Sequence, residues 1–296
     1  MAPYKKKRFT SKYKKIRKKI GTKKIHIIIT VALMTLLSIA VIFCIIYLLQ
    51  NKTPKPHFVE QNATVSNATN ETFQINQTIP PVTQKPKLAI VIDDVTFERQ
   101  LNGILSIPLK ITPSFLPPTA KSNFSDKLAK RTDFHMVHLP LEAVNFKSPE
   151  DGTLLVSDSY DVILQKLKKL KVQFPRAVYY NNHTGSKFTA DFEAMQRLLK
   201  AMDEVGLIFV DSRTSVDTKA SKVAAKYGKK LLQRDVFLDN VVEKNAIKEQ
   251  ILLSVAKAKR AGYAIAIGHP HKETIEALKE FAEDCDEVEV VYIKDL

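Results

Sequence analysis

Lys87-Leu88-Ala89-Ile90-Val91-Ile92-Asp93-Asp94 joins five apolar residues to two adjacent carboxylates. An unbroken apolar run of this length reads as a strand buried on both faces, as in a parallel sheet. The two carboxylates then stand at its C-terminal end. Neighbouring carboxylates repel one another, and a chain keeps them together where a cation sits between them. The alternative is a cap: Asp94 opening a helix at Val95-Thr96-Phe97.

Downstream the pattern repeats. Strands are expected at Leu88–Ile92, Lys110–Leu116, Phe134–Leu139, Ala177–Tyr180, Leu207–Val210, Lys230–Gln233, Ala264–Ile267 and Val288–Ile293. Helices are expected near Ser122–Arg131, Tyr160–Val172, Phe192–Val205, Thr218–Lys226, Ala246–Ala261 and Thr274–Glu283. Gly206, Gly228 and Gly262 stand where helices end. Strand-helix alternation over residues 87–296 predicts a parallel α/β domain, an open sheet or a barrel. Both architectures gather functional groups at strand C-terminal ends.

The polar residues follow that rule. Strand or near-strand ends carry Asp93-Asp94, His138 with Glu142 shortly after, Asn181-Asn182-His183-Thr184-Gly185-Ser186, Asp211-Ser212-Arg213-Thr214, Asp239-Asn240 and Gly268-His269. Singly, each has a duller account: a buried histidine, a turn, a helix cap. Six such ends on one face of a sheet are a convergence. Two histidines and one carboxylate suit Zn²⁺ with an open position for water. Asp94, His138 and His183 are the expected ligands. Asp93 is placed to take a proton from water, whose pKa at such an ion falls to about 7. His269 is placed to protonate a leaving group. Arg213 is suited to hold an anionic group bidentately, or to pair with Asp211 or Asp239. Asn182, Ser186, Asp211 and Asp239 complete the set as substrate-binding or supporting residues. No Gly-rich phosphate loop and no Gly-x-Ser-x-Gly elbow occurs. The equipment is that of metal-assisted hydrolysis of an amide or ester.

These motifs, in this order, resemble the divergent polysaccharide deacetylases, the YibQ-like branch of the NodB-type carbohydrate deacetylase superfamily. Ile92-Asp93-Asp94, His138-Leu-Pro-Leu-Glu142, Asn181-Asn-His-Thr-Gly-Ser186 with Phe188-Thr189, Asp211-Ser-Arg-Thr214, Phe237-Leu-Asp-Asn240 and Ile267-Gly-His-Pro270 carry the resemblance. It implies a distorted (β/α) barrel of about seven strands, and a divalent metal. It implies removal of acetyl groups from N-acetylated envelope glycans. It also implies Asp93 as base, Asp94 as ligand and His269 as acid. The better-known members place a second metal-binding histidine four residues after the first. Here that position is Glu142, an alternative third ligand to His183, and the Arg-x-Pro motif of those members is not evident. A non-catalytic glycan-binding or envelope-assembly protein on the same fold is the second reading.

The N-terminal third has a different character. Twelve Lys and Arg and no acid fall in residues 1–25, leaving +3 of the formal net charge of +15 for everything else. Within residues 26–49, Ile27–Leu49 is an uncharged run, and about 20 apolar residues cross a bilayer as a helix. The basic tail is then a cytoplasmic orientation signal rather than a nucleic-acid-binding arm. The expected location is the bacterial inner membrane, with one span and a periplasmic C-terminal domain. Residues 50–86 form an Asn/Thr/Pro-rich linker with acceptor-like triplets at Asn62, Asn67, Asn70 and Asn76. Cys44 lies in the apolar run and Cys285 in the body, so residues 50–296 hold no cysteine pair.

Overall fold

A computed structural model describes residues 85–120, 122–145 and 147–296. The basic tail, the apolar run and the four Asn-x-Thr triplets lie outside the described residues. Among the described residues no helix is long and apolar enough to cross a membrane.

The chain alternates as its sequence predicts. Strand β1 (Lys87–Val95) leads to helix α1 (Glu98–Leu105), β2 (Thr112–Phe115), α2 (Ser125–Ala129), β3 (Met136–Leu141) and α3 (Tyr160–Gln173). Then come β4 (Tyr179–Thr184), α4 (Phe192–Glu204), β5 (Ile208–Asp211), α5 (Ala220–Lys226), β6 (Leu232–Gln233) and β7 (Val236–Phe237). Helix α6 (Lys244–Ala261), β8 (Tyr263–Gly268), α7 (Lys272–Glu283) and β9 (Glu289–Val291) finish the domain. Local chemistry sets the boundaries. The Ser159 hydroxyl accepts from the Val162 N–H to open α3, and Gly262 closes α6 in the left-handed conformation. Helix α1 enters the sequence reading only as the alternative helix after Asp94 and starts later than that, at Glu98; its eight residues offer only a short apolar stripe, Leu101 and Ile104.

Every strand pairing is parallel, and neighbours run β6-β5-β4-β3-β2-β1-β8-β7. One edge of β1 is taken by β8. The other is shared, with β9 against Lys87–Ala89 and β2 against Val91–Val95. The two ends of the path, β6 and β7, are separated in the chain only by Arg234 and Asp235. The Arg234 N–H donates to Asp211 on the β5 side, and the next N–H, that of Asp235, donates to Ile265 on the β8 side. The sheet therefore curls until one kinked stretch of chain carries both its edges. This curled parallel sheet agrees with a distorted barrel, and counting β6 and β7 as one kinked strand gives seven around it.

Two apolar layers result. Leu88, Ile90 and Ile92 of β1 join the large core beneath the helices. Ala89 and Val91 point the other way, into a smaller cluster with Met136, Val210, Ile265 and Ile267. A strand's side chains alternate, so Asp93 continues the inner row of Ala89 and Val91. The same count puts His138 above Met136, Asn181 and His183 above Tyr179, and His269 above Ile267. The inner rows thus change from apolar to polar toward one end of the sheet.

Beneath that end, Gly185 follows β4 with φ +90°, and a Cβ there would stand 2.9 Å from the Leu141 Cβ. Strain of this kind costs about 1–3 kcal/mol before the clash is counted. Gly185→Ala is expected to lower stability by about 2–3 kcal/mol in chemical denaturation, and an unchanged midpoint would contradict this packing.

Candidate active site

Consecutive strand residues face opposite ways, yet Asp93 and Asp94 line the same cleft. The register between β1 and β2 shifts between Ile92 and Val95, and Asp94 takes φ 58°. This bulge re-aims the second carboxylate. Aspartate is among the few residue types that enter the left-handed region at modest cost. Asp94 does not cap a helix. The Thr96 and Phe97 N–H groups ahead of α1 instead donate to Gln100 Oε1, at 2.9 and 2.8 Å.

The re-aimed carboxylate meets two imidazoles. Asp94 Oδ1 lies 3.3 Å from His138 Nε2 and 3.0 Å from His183 Nδ1. That oxygen is buried and makes no hydrogen bond among the described residues. Three donor atoms turned toward one another without hydrogen-bond geometry suit a shared cation. Donors about 2.0–2.2 Å from a tetrahedral ion stand roughly 3.4 Å apart, close to the spacing found here. The far side of each ring agrees. His138 Nδ1 lies 3.3 Å from Asn181 Oδ1, and His183 Nε2 lies 3.1 Å from Glu150 Oε1. An acceptor on the outer nitrogen fixes the proton there and leaves the inner lone pair free. Burial works to raise the Asp94 carboxyl, but His138 and His183 outweigh it and hold it well below the usual carboxylate range. Burial lowers His138, and the Asp93 and Asp94 charges more than reverse that.

Asp93 is buried beside this group. Both of its oxygens accept from Asn181 Nδ2, each at 2.9 Å. Asn181 also donates to Ser212 Oγ at 2.8 Å and accepts from Ser114 Oγ at 2.6 Å. One amide therefore fixes both Asp93 and His138. Burial pushes the Asp93 carboxyl up, and His138 and Asn181 only partly offset it. Across the cleft, His269 Nδ1 sits 3.0 Å from Asp239 Oδ1, while Asp239 Oδ2 takes the His269 N–H and the Thr274 hydroxyl. That leaves His269 Nε2 toward the cleft, 3.8 Å from Asp94 Oδ2. Burial lowers the His269 imidazole, and Asp239 outweighs it to give a net rise. Gly268 keeps the contact open, since a Cβ there would lie 3.1 Å from Asp239 Oδ2.

Asp93, Asp94, His138, His183 and His269 thus line one cleft of about 240 Å³, with Asn182 on its wall. Asn182 accepts from the Ser212 N–H and donates to Thr184 O, tying the β4 end to the β5 end. Other expected residues stand apart. Glu142 is engaged by Lys187 and the Val156 N–H, outside the three-donor group. Ser186 accepts from the Val144 N–H and holds the loop after β3. Asp211 accepts from the Arg213 N–H and the Thr218 hydroxyl, shaping the turn after β5. The Arg213 side chain is exposed, and among the described residues it pairs with neither Asp211 nor Asp239. Arg234 takes the place at the cleft instead, with Nε donating to Ser212 O at 2.7 Å and its guanidinium over the Phe237 ring. The sequence reading set Asn181 at a strand end without a role of its own, and it missed Glu150. Asn181 falls just past the expected strand end at Tyr180, which hid its inward-facing place in β4; Glu150, in a loop, gave no signal.

The sequence model described as divergent polysaccharide deacetylase matches residues 90–296. The chain belongs to that family. An uncharacterized protein YibQ of Escherichia coli K12 is 34% identical over 196 residues, which are 66% of this chain and 61% of that protein. An uncharacterized protein of Haemophilus influenzae is also 34% identical over 196 residues, 65% of this chain and 70% of its own. The chain thus spans about three fifths of the length of the E. coli relative. The crystal structure of an uncharacterized protein from Agrobacterium tumefaciens C58 superposes with a TM-score of 0.64 at 21% identity. It covers 72% of this chain and 90% of that one, a likeness of fold.

Proposed function

We propose that this chain is a metal-dependent hydrolase that removes acetyl groups from N-acetylated envelope glycans. On this reading it is held in a bacterial inner membrane with its catalytic domain in the periplasm. The observation that carries the chemistry is the convergence of Asp94 Oδ1, His138 Nε2 and His183 Nδ1, with an acceptor behind each imidazole. The anchor rests on the apolar run Ile27–Leu49 behind a wholly basic tail. Family membership supports the glycan substrate.

Asp94, His138 and His183 would hold the ion, with Zn²⁺ the best match to two imidazoles and one carboxylate. When bound, such an ion activates water and polarises the amide carbonyl. Asp93 accepts the proton of the attacking water, and Asn181 holds it in place. His269 acts as the imidazolium: its Nδ1–H donates to Asp239, which stabilises the ring's charge, and its Nε2 proton faces the cleft. That proton passes to the amine as the carbon–nitrogen bond breaks. Phe237 and Ile267 give the cleft an apolar wall against bulk water.

Full-length protein in detergent, given chitooligosaccharides, is expected to release acetate and to carry about one zinc per chain. A chelator should abolish release and added Zn²⁺ restore it. Release that survives metal removal would sink the mechanism. A bound ion without release from any acetylated glycan would favour the glycan-binding reading.

A further inference from the structure

A second groove opens beside the cleft, between α1 and α7, with a volume of about 660 Å³. Binding sites for small ligands typically fall in the range of about 300–1,000 Å³. Its walls carry Arg99 and Gln100 from α1, and His271, Lys272, Glu276 and Lys279 from the start and body of α7. Asp94 and His269 line both this groove and the cleft, so the two are continuous.

Apart from Asp94 at the junction with the cleft, the unpaired charge on the groove walls is basic. Lys272, Glu276 and Lys279 recur at helical spacing and share one face of α7. Glu276 is matched by Lys272 at 3.6 Å. Among the described residues no carboxylate pairs with Arg99 or Lys279. Three of the four lysines of the neighbouring α6 are paired: Lys244 and Lys248 both close on Glu280, and Lys259 on Glu287, while Lys257 donates to the Asp235 carbonyl. Glu280 of α7 thus serves α6, while Arg99 of α1 and Lys279 of α7 stay toward the groove. A neutral sugar gains little from an unpaired guanidinium and ammonium. A carboxylate or phosphate gains charge-assisted hydrogen bonds from both.

We propose that the α1–α7 groove is a subsite for an anionic sugar unit of the glycan whose acetyl group lies in the cleft. The proposal rests on the hydrolase reading for the identity of the adjoining site. Arg99 and Lys279 hold the acid group, and the continuity through Asp94 and His269 makes one ligand span both spaces. The substrate is then a charged glycan rather than a neutral homopolymer.

Calorimetry on the full-length chain at fixed salt tests this with three tetrasaccharide probes. One is neutral N-acetylglucosamine, one alternates N-acetylglucosamine with glucuronic acid, and one is the neutral chain bearing a phosphate. At least one charged probe is expected to bind about tenfold or more tighter than the neutral one, and the two charged arms separate carboxylate from phosphate. Arg99→Ala with Lys279→Ala should erase the difference while leaving the neutral affinity unchanged, which also reports a folded chain. Equal affinity for all three probes, no binding of either charged probe, or a preference that survives the double substitution would overturn the subsite. Acetate release is not the readout. An inactive protein that still prefers charge leaves the subsite standing, and an active protein without preference removes the subsite alone.

Discussion

Asp94→Asn should leave a folded chain that no longer holds a stoichiometric divalent ion and no longer releases acetate. Asparagine has nearly the shape of aspartate and tolerates the left-handed backbone at φ 58°. The bulge in β1 therefore survives, which makes Asn a cleaner replacement than Ala. What goes is the charge on the one oxygen that meets both His138 and His183. Changes to residues behind a ligand typically cost about 10–100-fold in metal affinity. Loss of the anionic ligand itself should exceed that range. Two neutral imidazoles and an amide oxygen make a poor zinc site. Elemental analysis and a zinc titration of wild type and variant, with melting curves as a control, measure the effect. A variant that keeps its ion at wild-type affinity would remove Asp94 from the ligand set, and the orphaned Oδ1 would need another account.

Much of this site could be read from the chain because a parallel sheet collects its strand ends on one face. Leu88–Ile92 are all buried, as an apolar run of that length requires. Asp93, His138, His183 and His269 meet for the same reason. Position within a strand mattered more than sequence suggested. The expected strand Ala177–Tyr180 is in fact β4, Tyr179–Thr184, so Asn181 and His183 are strand residues on the inner face rather than parts of a turn. The β3–β4 register then places Asn181 directly beside His138. Polar character at the end of a run hid the strand, since asparagine is rare in sheets.

Other features were illegible for a different physical reason. Glu150 approaches His183 across 33 residues of chain, through a loop with no period, and nothing local marks that meeting. Glu142 illustrates the converse. Its spacing from His138 offers a ligand, but the β3 end turns it toward Lys187 and the Val156 N–H. Spacing of four residues brings side chains together on a helix and not along a strand leaving a sheet. Arg213 and Arg234 differ in the same way. The first follows a strand end but takes φ 51° and its side chain is exposed. The second lies where the chain crosses from β5 to β8, and a crossing is visible only once the sheet has curled.

Asp93→Asn should separate chemistry from folding. The carboxylate is buried at the inner end of β1, and its ionised form is costly there. Its two bonds come from a single amide nitrogen, Asn181 Nδ2. An asparagine keeps one such bond through its oxygen, and its amide nitrogen must rotate away from the Asn181 Nδ2 donor, toward the cleft. Replacing a buried charge by a neutral group of equal size removes its desolvation cost while one hydrogen-bond partner is retained. Melting temperature should therefore hold or rise. Zinc content should also hold, because Asp93 is not one of the three converging donors. Turnover should not survive. An amide cannot accept the proton of water, and removing a general base costs typically about 10²–10⁴-fold. The measurements are kcat on an acetylated oligosaccharide, zinc per chain and thermal unfolding, made on the same preparation. A variant with kcat within a few-fold of wild type would remove Asp93 from the reaction. A variant that loses zinc along with turnover would place it among the ligands instead.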